Sequence, residues 1–176
     1  ELWRSPAHAD SLRPPYRTSA KAFYQGALAD QIDAFSRATG GFLRKEDLAD
    51  YWCEWVTPLR VGYRGYEVCE IPPNGHGIVT LMALNILNGM DVVSHDDAET
   101  VHRQLEAMKL AFTDGKRYVA DPAFMTVTPE QLLSPAYAAA RREKIGASAC
   151  IPSAGDPHCG DTVYLCTADR EGNMVS

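Results

Sequence analysis

Hydrophobic positions recur at three- and four-residue intervals over much of the chain. This spacing predicts helices over residues 20–39, 43–51, 78–87 and 96–119, and a last helical region over 129–133 and then 135–145. The stretch 78–87 is apolar on nearly every side, so we expect that helix to be buried. The first 17 residues are rich in proline and arginine, and we expect them to be irregular.

Residues at the ends of these stretches agree with the predicted boundaries. Thr18-Ser19 and Asp96-Asp97 offer side-chain oxygens to free backbone N–H groups at helix starts. Gly40-Gly41 supplies the left-handed residue that commonly ends a helix. The long helix carries an apolar stripe made of Val101, Leu105, Met108, Ala111 and Phe112.

Two stretches have the composition of β-hairpins. Residues 56–63 and 65–71 are rich in Val, Tyr and Ile, and Arg64-Gly65 lies between them as a turn. Pro58 indicates that the first strand lies at an edge or starts late. A second hairpin is predicted from Thr162 onward, with residues 169–173 as its turn. Because its second strand starts where the sequence stops, we expect this sequence to be a segment of a longer protein.

Helices outnumber strands, and the strands occur as hairpins, so the predicted fold class is α+β. The 176 residues, 45% of them hydrophobic, are sufficient for one globular core, which favours a single domain over residues 1–176. The net charge of −6 and the lack of a basic face argue against nucleic acid as a partner. No apolar run approaches the roughly 20 residues that a membrane helix needs. None of these features indicates a cellular compartment.

The five cysteines are odd in number and lack CxxC spacing, which argues against a disulfide scaffold and a zinc ribbon. We therefore expect small buried thiols. His158 and Cys159 leave a metal site open as an alternative. The five cysteines are Cys53, Cys69, Cys150, Cys159 and Cys166.

Thr162 is a candidate nucleophile, although a threonine is also an ordinary first residue of a strand. A threonine hydroxyl needs a base, and cleavage of the Asp161–Thr162 bond would supply one. The freed α-amine has a pKa of roughly 7.7 to 8.0 and lies beside the hydroxyl. The preceding residues 152–161 are small and polar, so we expect a flexible linker that lets the bond reach the attack geometry.

Other candidate chemistry is weaker. No G-x-S-x-G motif is present. The loop Asn74-Gly75-His76-Gly77 could bind an anion at the following helix, or it could simply be a tight helix entry. Asp114, Asp121 and Asp161 have no evident partner, and solvated positions are the simplest interpretation.

Several motifs, in order, resemble the γ-glutamyltranspeptidases and their acylase relatives, which are N-terminal-nucleophile hydrolases. They are AFYQGALA (22–29), GGFL (40–43) with EDLADY (46–51), IPPNGHG (71–77) with LNIL (84–87), HRQLEAMKLAF (102–112), and GDT (160–162) with DREGNMV (169–175). Together they cover about residues 20 to 176.

The resemblance implies a four-layer αββα fold and a precursor that cleaves itself between Asp161 and Thr162. Residues 1–161 would then belong to a large subunit, and 162–176 would start a small one. Thr162 would attack γ-glutamyl amides such as glutathione, with the remainder of the precursor as partner and with no metal or organic cofactor. In this family the arginine that binds the substrate carboxylate lies upstream of this segment, and the oxyanion donors lie downstream.

Two departures leave alternatives open. Val163-Tyr164-Leu165 stands where classical members have a polar residue or histidine, and PPNGHG replaces a serine-rich loop. An acylase acting on another amide, of the cephalosporin or glutaryl type, is therefore an alternative. So is an uncleaved, non-catalytic relative.

Overall fold

The computed structural model describes residues 4–91, 94, 96–158, 167–168 and 174–175. The chain divides into two compact units, Glu1–Trp55 and Val56–Ser176. The predicted site residues Asp161 and Thr162 lie outside the described residues. The assignment of the whole chain to one domain stays a prediction.

The first unit consists of four helices. They are α1 (Pro6–Arg17), α2 (Lys21–Gln25), α3 (Ala27–Ala38) and α4 (Lys45–Ala49). The prediction that the first 17 residues are irregular is wrong, because α1 occupies most of them. Pro6 takes a first-turn position, where its missing N–H costs nothing. Asp10 and Arg13 then pair at 2.6 Å on the helix surface.

The helix predicted over 20–39 is interrupted at Gly26. This residue has an extended backbone, with φ −113° and ψ −165°, between α2 and α3. A Cβ added to it would lie 2.7 Å from the carbonyl oxygen of Ala22, so the bend requires glycine. The predicted helix stop is confirmed, since Gly40 has a φ of +72°.

The second unit begins with the predicted hairpin, formed by β1 (Leu59–Tyr63) and β2 (Tyr66–Glu70). The strands are antiparallel, and Val61 lies opposite Val68. Arg64 and Gly65 both have positive φ, as a tight two-residue hairpin turn requires. The first strand starts directly after Pro58, as predicted.

Four helices follow. They are α5 (Gly77–Leu87), α6 (Ala98–Tyr118), α7 (Pro129–Leu132) and α8 (Pro135–Arg142), with a 3₁₀ turn at Pro122–Phe124. The Asp97 carboxylate accepts a hydrogen bond from the Thr100 N–H at 3.0 Å, which confirms the predicted start of α6. Ser134 caps α8 in the same way through the Tyr137 N–H at 3.2 Å.

The core of the second unit is built around α5, whose predicted burial is confirmed. Its buried side chains are Ile78, Val79, Leu81, Met82, Ala83, Ile86 and Leu87. Helix α6 packs on α5 at Gly115, where an added Cβ would lie 2.5 Å from Cγ2 of Val79. The close approach of the two helices therefore depends on a residue without a side chain.

The buried face of α6 differs from its predicted apolar stripe. Ala107, Leu110 and Ala111 are buried, whereas Val101, Leu105, Met108 and Phe112 are 40 to 59% exposed. Only Ala111 belongs to both sets. Contact with α5 and α8, rather than the local apolar pattern, selects the face that is buried.

The second predicted hairpin is seen in part. β3 (Thr167–Ala168) pairs antiparallel with β4 (Met174–Val175), with Thr167 opposite Val175. The α+β class is therefore confirmed. None of the helices within the described residues is long and apolar enough to cross a membrane.

Candidate active site

The structure describes residues on either side of the predicted nucleophile Thr162, but not Thr162 itself. His158 is the last described residue before it, and β3 begins at Thr167. The start of the hairpin predicted from Thr162 onward also lies outside the described residues. Residues 96–158, which lead up to it, are described without a gap.

The prediction of a flexible linker from residue 152 onward is wrong for residues 153–155. The Gly155 N–H donates to Oδ1 of Asp114 at 2.9 Å, and the Gly155 carbonyl accepts from the Tyr118 hydroxyl at 2.6 Å. Nη2 of Arg141 donates to the Ser153 carbonyl at 2.7 Å. These backbone groups are thus bound to α6 and α8. The small residues of this stretch therefore do not make it a flexible linker.

Glycine is required at position 155 by its surroundings. A Cβ there would lie 2.5 Å from the Tyr137 hydroxyl oxygen and 2.9 Å from Cδ of Arg141. The backbone can therefore approach the two helices closely only without a side chain.

Asp114 and Arg141 form a buried ion pair, so the interpretation of Asp114 as a solvated residue is wrong. Nε of Arg141 lies 2.9 Å from Oδ2 of Asp114, and the two side chains are 5% and 0% exposed. Burial raises the pKa of Asp114, while the Gly155 N–H and the Arg141 charge act in the opposite direction. The same burial raises the pKa of the adjacent Tyr137 hydroxyl.

A second contact lies nearer the start of α6. The Cys150 thiol donates to Oε2 of Glu106 at 3.3 Å, and Lys109 pairs with the other oxygen of the same carboxylate at 2.6 Å. The Lys109 hydrogen bond lowers the pKa of Glu106, and the Glu106 carboxylate raises the pKa of Cys150. The thiol is therefore kept protonated, which is unfavourable for a nucleophile.

The cysteines in the described part of the chain are free but exposed, so the expectation of buried thiols is wrong for them. Cys69 illustrates the reason, because it lies opposite Arg60 on the solvent side of the two-stranded sheet. Cys159 and Cys166 lie outside the described residues.

The described structure does not favour the alternative anion site at residues 74–77 or a metal site. Glu70 lies against the start of α5, since an added Cβ on Gly77 would be 2.5 Å from its Oε2. A carboxylate at this helix end opposes the binding of a second anion, which favours the tight helix entry. Asp121 accepts from the Ala123 N–H at 2.9 Å and caps the 3₁₀ turn. Within the described ranges, no three His, Cys, Asp or Glu residues are arranged to hold a metal ion.

Solved structures of other proteins share this α+β architecture. The chain is 54% identical to the cephalosporin acylase from Bacillus halodurans, with a TM-score of 0.76 over 99% of this chain and 32% of that one. The Helicobacter pylori gamma-glutamyltranspeptidase is 30% identical, with a TM-score of 0.69 over 94% of this chain and 48% of that one.

The sequence comparisons agree with the structural ones. The glutathione hydrolase-like YwrD proenzyme of Bacillus subtilis (strain 168) is 37% identical over 96% of this chain and 32% of its own length. The gamma-glutamyltranspeptidase family model matches residues 1–176. The chain belongs to the gamma-glutamyltranspeptidase family, and it spans about a third of the length of the curated relatives it matches.

Proposed function

We propose that this chain is part of a self-cleaving amide hydrolase and acyltransferase whose nucleophile is Thr162. The observation that carries the proposal is the family match across the whole chain, which includes Gly160-Asp161-Thr162. The bound segment before this site and the β3–β4 hairpin after it support the same interpretation. Residues 1–161 would belong to the large subunit and 162–176 to the small one, within a four-layer αββα fold.

Self-cleavage would proceed by an N-to-O acyl shift. The Thr162 hydroxyl oxygen attacks the Asp161 carbonyl carbon, the C–N bond breaks, and the departing amine nitrogen takes the hydroxyl proton. Water then hydrolyses the Asp161–Thr162 ester, which leaves a carboxylate on Asp161 and a free Thr162 with its own α-amine. That amine has a suitable pKa to accept the hydroxyl proton during turnover.

The acyl group is the point on which two candidates differ. The first is γ-glutamyl, taken from compounds such as glutathione and passed to water or to an amino acid; relatives named glutathione hydrolase support it. The second is the acyl group of a cephalosporin or glutaryl amide, supported by the 54% identity to a cephalosporin acylase. The partners in either case are a small-molecule amide and the remainder of the same precursor.

Denaturing gels and intact-mass measurement of the full-length protein test the self-cleavage. We expect two chains, with Thr162 as the first residue of the smaller one, and a single chain for Thr162→Ala. A fully active wild-type protein with the Asp161–Thr162 bond intact would overturn the proposal. A wild-type protein that is uncleaved and inactive would instead favour the non-catalytic alternative.

The release of chromophore from a γ-glutamyl anilide, compared with a glutaryl anilide, tests the acyl group. A higher kcat/KM for the γ-glutamyl compound supports the first candidate. A higher kcat/KM for the glutaryl compound supports the second and leaves the role of Thr162 unchanged.

A further inference from the structure

Polar side chains follow one i, i+4 ridge of α6, and each binds the segment that leads to the predicted cleavage site. His102, Glu106, Asp114 and Tyr118 lie on this ridge, with the buried Leu110 between them. Nε2 of His102 lies 2.8 Å from the Gly146 carbonyl oxygen. We call these four residues, together with Arg141 of α8, the tether ladder.

The segment runs along α6 in the same direction as the helix. The ladder residues, taken in chain order, bind residues 146, 150, 155 and 155. Sixteen helical residues cover about 24 Å, and nine extended residues span at most about 30 Å. The segment therefore runs alongside α6 and is held at Gly146, Cys150 and Gly155.

The part of the ladder nearer the cleavage site contains a buried ion pair. Asp114 and Arg141 are removed from solvent, and additional hydrogen bonds help to offset the cost of burying two charges. The Gly155 N–H and the Ser153 carbonyl provide two of these bonds. Release of the segment would therefore leave both buried charges with fewer partners.

We propose, on the basis of the self-cleavage argued above, that the tether ladder positions the loop that carries the Asp161–Thr162 bond. Asp161 follows Gly155 by six positions, a stretch of chain that can span at most about 20 Å. Without the ladder, the loop that ends at Thr167 would start near residue 145 rather than at 155. Lengthening it from about 12 to about 22 residues lowers the chance of closure only two- to threefold. Loss of orientation adds to this, because a misplacement of 1 Å can cost about 100-fold.

The test uses the full-length precursor and measures the rate constant of self-cleavage. Tyr118→Phe removes only the hydroxyl that binds the Gly155 carbonyl. Arg141→Lys keeps the charge but removes the guanidinium that binds Asp114 and Ser153 together. We expect each substitution to slow self-cleavage by about tenfold. This lies between the two- to threefold effect of loop closure and the roughly 100-fold effect of a 1 Å misplacement.

Matched controls are available in the same unit. Arg142 is the next residue of α8, and its guanidinium binds the Ile86 and Asn85 carbonyls at 2.7 and 3.1 Å rather than the segment. Tyr63 is a half-buried tyrosine of β1. Arg142→Lys and Tyr63→Phe should cleave at the wild-type rate, even where they lower Tm as much as the ladder variants do.

Two further measurements separate positioning from a general loss of stability. Once matured, Tyr118→Phe should turn over substrate with the wild-type kcat, because the ladder acts before Thr162 is freed. The Gly155 amide should exchange with solvent faster in Tyr118→Phe than in Tyr63→Phe.

Each outcome decides between the two proposals. If the wild type is cleaved, Thr162→Ala is not, and Tyr118→Phe cleaves within twofold of the wild type, the ladder has no positioning role although the proposed function stands. Equal slowing by Tyr63→Phe or Arg142→Lys would also overturn it. If the wild-type precursor is never cleaved, the proposed function fails and the ladder proposal fails with it.

Discussion

At the scale of single residues, the most informative feature is the pairing of ionisable groups with the segment 146–155. Asp114 and Arg141 are buried together, and each also binds the backbone of that segment. Glu106 is 2% exposed and is paired with Lys109 and with Cys150. These contacts make the local pKa values sensitive to whether the segment is bound.

Glu106→Gln tests this at acidic pH. The Lys109 and Cys150 hydrogen bonds lower the pKa of Glu106 below its ordinary value of 4.5, although burial acts in the opposite direction. The ionised carboxylate therefore stabilises the fold above pH 4.5, and this contribution is lost as pH falls through the lowered native pKa. We expect the Tm of Glu106→Gln to lie below that of the wild type at neutral pH and the difference to shrink below pH 4.5.

Thermal denaturation between about pH 3 and pH 8 measures this difference, in a range that brackets the unperturbed carboxylate pKa. Glu67→Gln is the control, because Glu67 forms an exposed pair with Arg60 that should contribute little. A Tm difference for Glu106→Gln that stays constant or grows on acidification would contradict the assigned pKa.

At the scale of elements, the packing of α6 on α5 determines which face of the long helix is buried. The small residues Ala107, Ala111 and Gly115 allow the approach, and Leu110 is buried beside them. The larger apolar residues of the predicted stripe remain partly exposed. An apolar stripe in the sequence shows that a helix can bury a face. The stripe does not determine which helix packs against that face. The side of α6 that contacts α5 therefore could not be derived from the sequence of α6 alone.

Gly115→Ala tests this close approach. Alanine in a helix interior is intrinsically favoured over glycine by about 1 kcal/mol. Here its Cβ would lie 2.5 Å from Cγ2 of Val79, and overpacking of this kind costs about 1 to 3 kcal/mol. We therefore expect a net lower Tm. In a Val79→Ala background the same substitution should be neutral or stabilising, and a loss as large as in the wild-type background would refute the clash.

At the scale of the whole molecule, the proposed chemistry takes both its nucleophile and its base from Thr162, and none of its steps uses a metal. Dialysis of the full-length protein against EDTA should therefore leave the extent of self-cleavage and kcat unchanged. Adding back Zn²⁺ or Mg²⁺ is the control and should restore nothing. A loss of activity that either ion reverses would show that the mechanism is incomplete.

Adjacent residues and the order of motifs predict Thr162 and Asp161 as the site, and this stays a prediction. The way in which the preceding segment is held could not be predicted. Asp114 and Arg141 were missed because they are 27 positions apart, and no local period connects them. The spacing of His102, Glu106, Asp114 and Tyr118 in multiples of four could have indicated a common ridge, although not the segment that it binds.

The sequence by itself determined the features that depend on a few neighbouring residues. These are the capped start of α6, the left-handed turns at Gly40 and Arg64-Gly65, the buried helix α5 and the family motifs. Tertiary structure alone decided which face of α6 is buried, that Gly155 binds Asp114 and Tyr118, and that Arg141 completes the ion pair. Backbone propensity and capping act over one or two turns, whereas these pairings form only when packing brings distant segments within hydrogen-bonding distance.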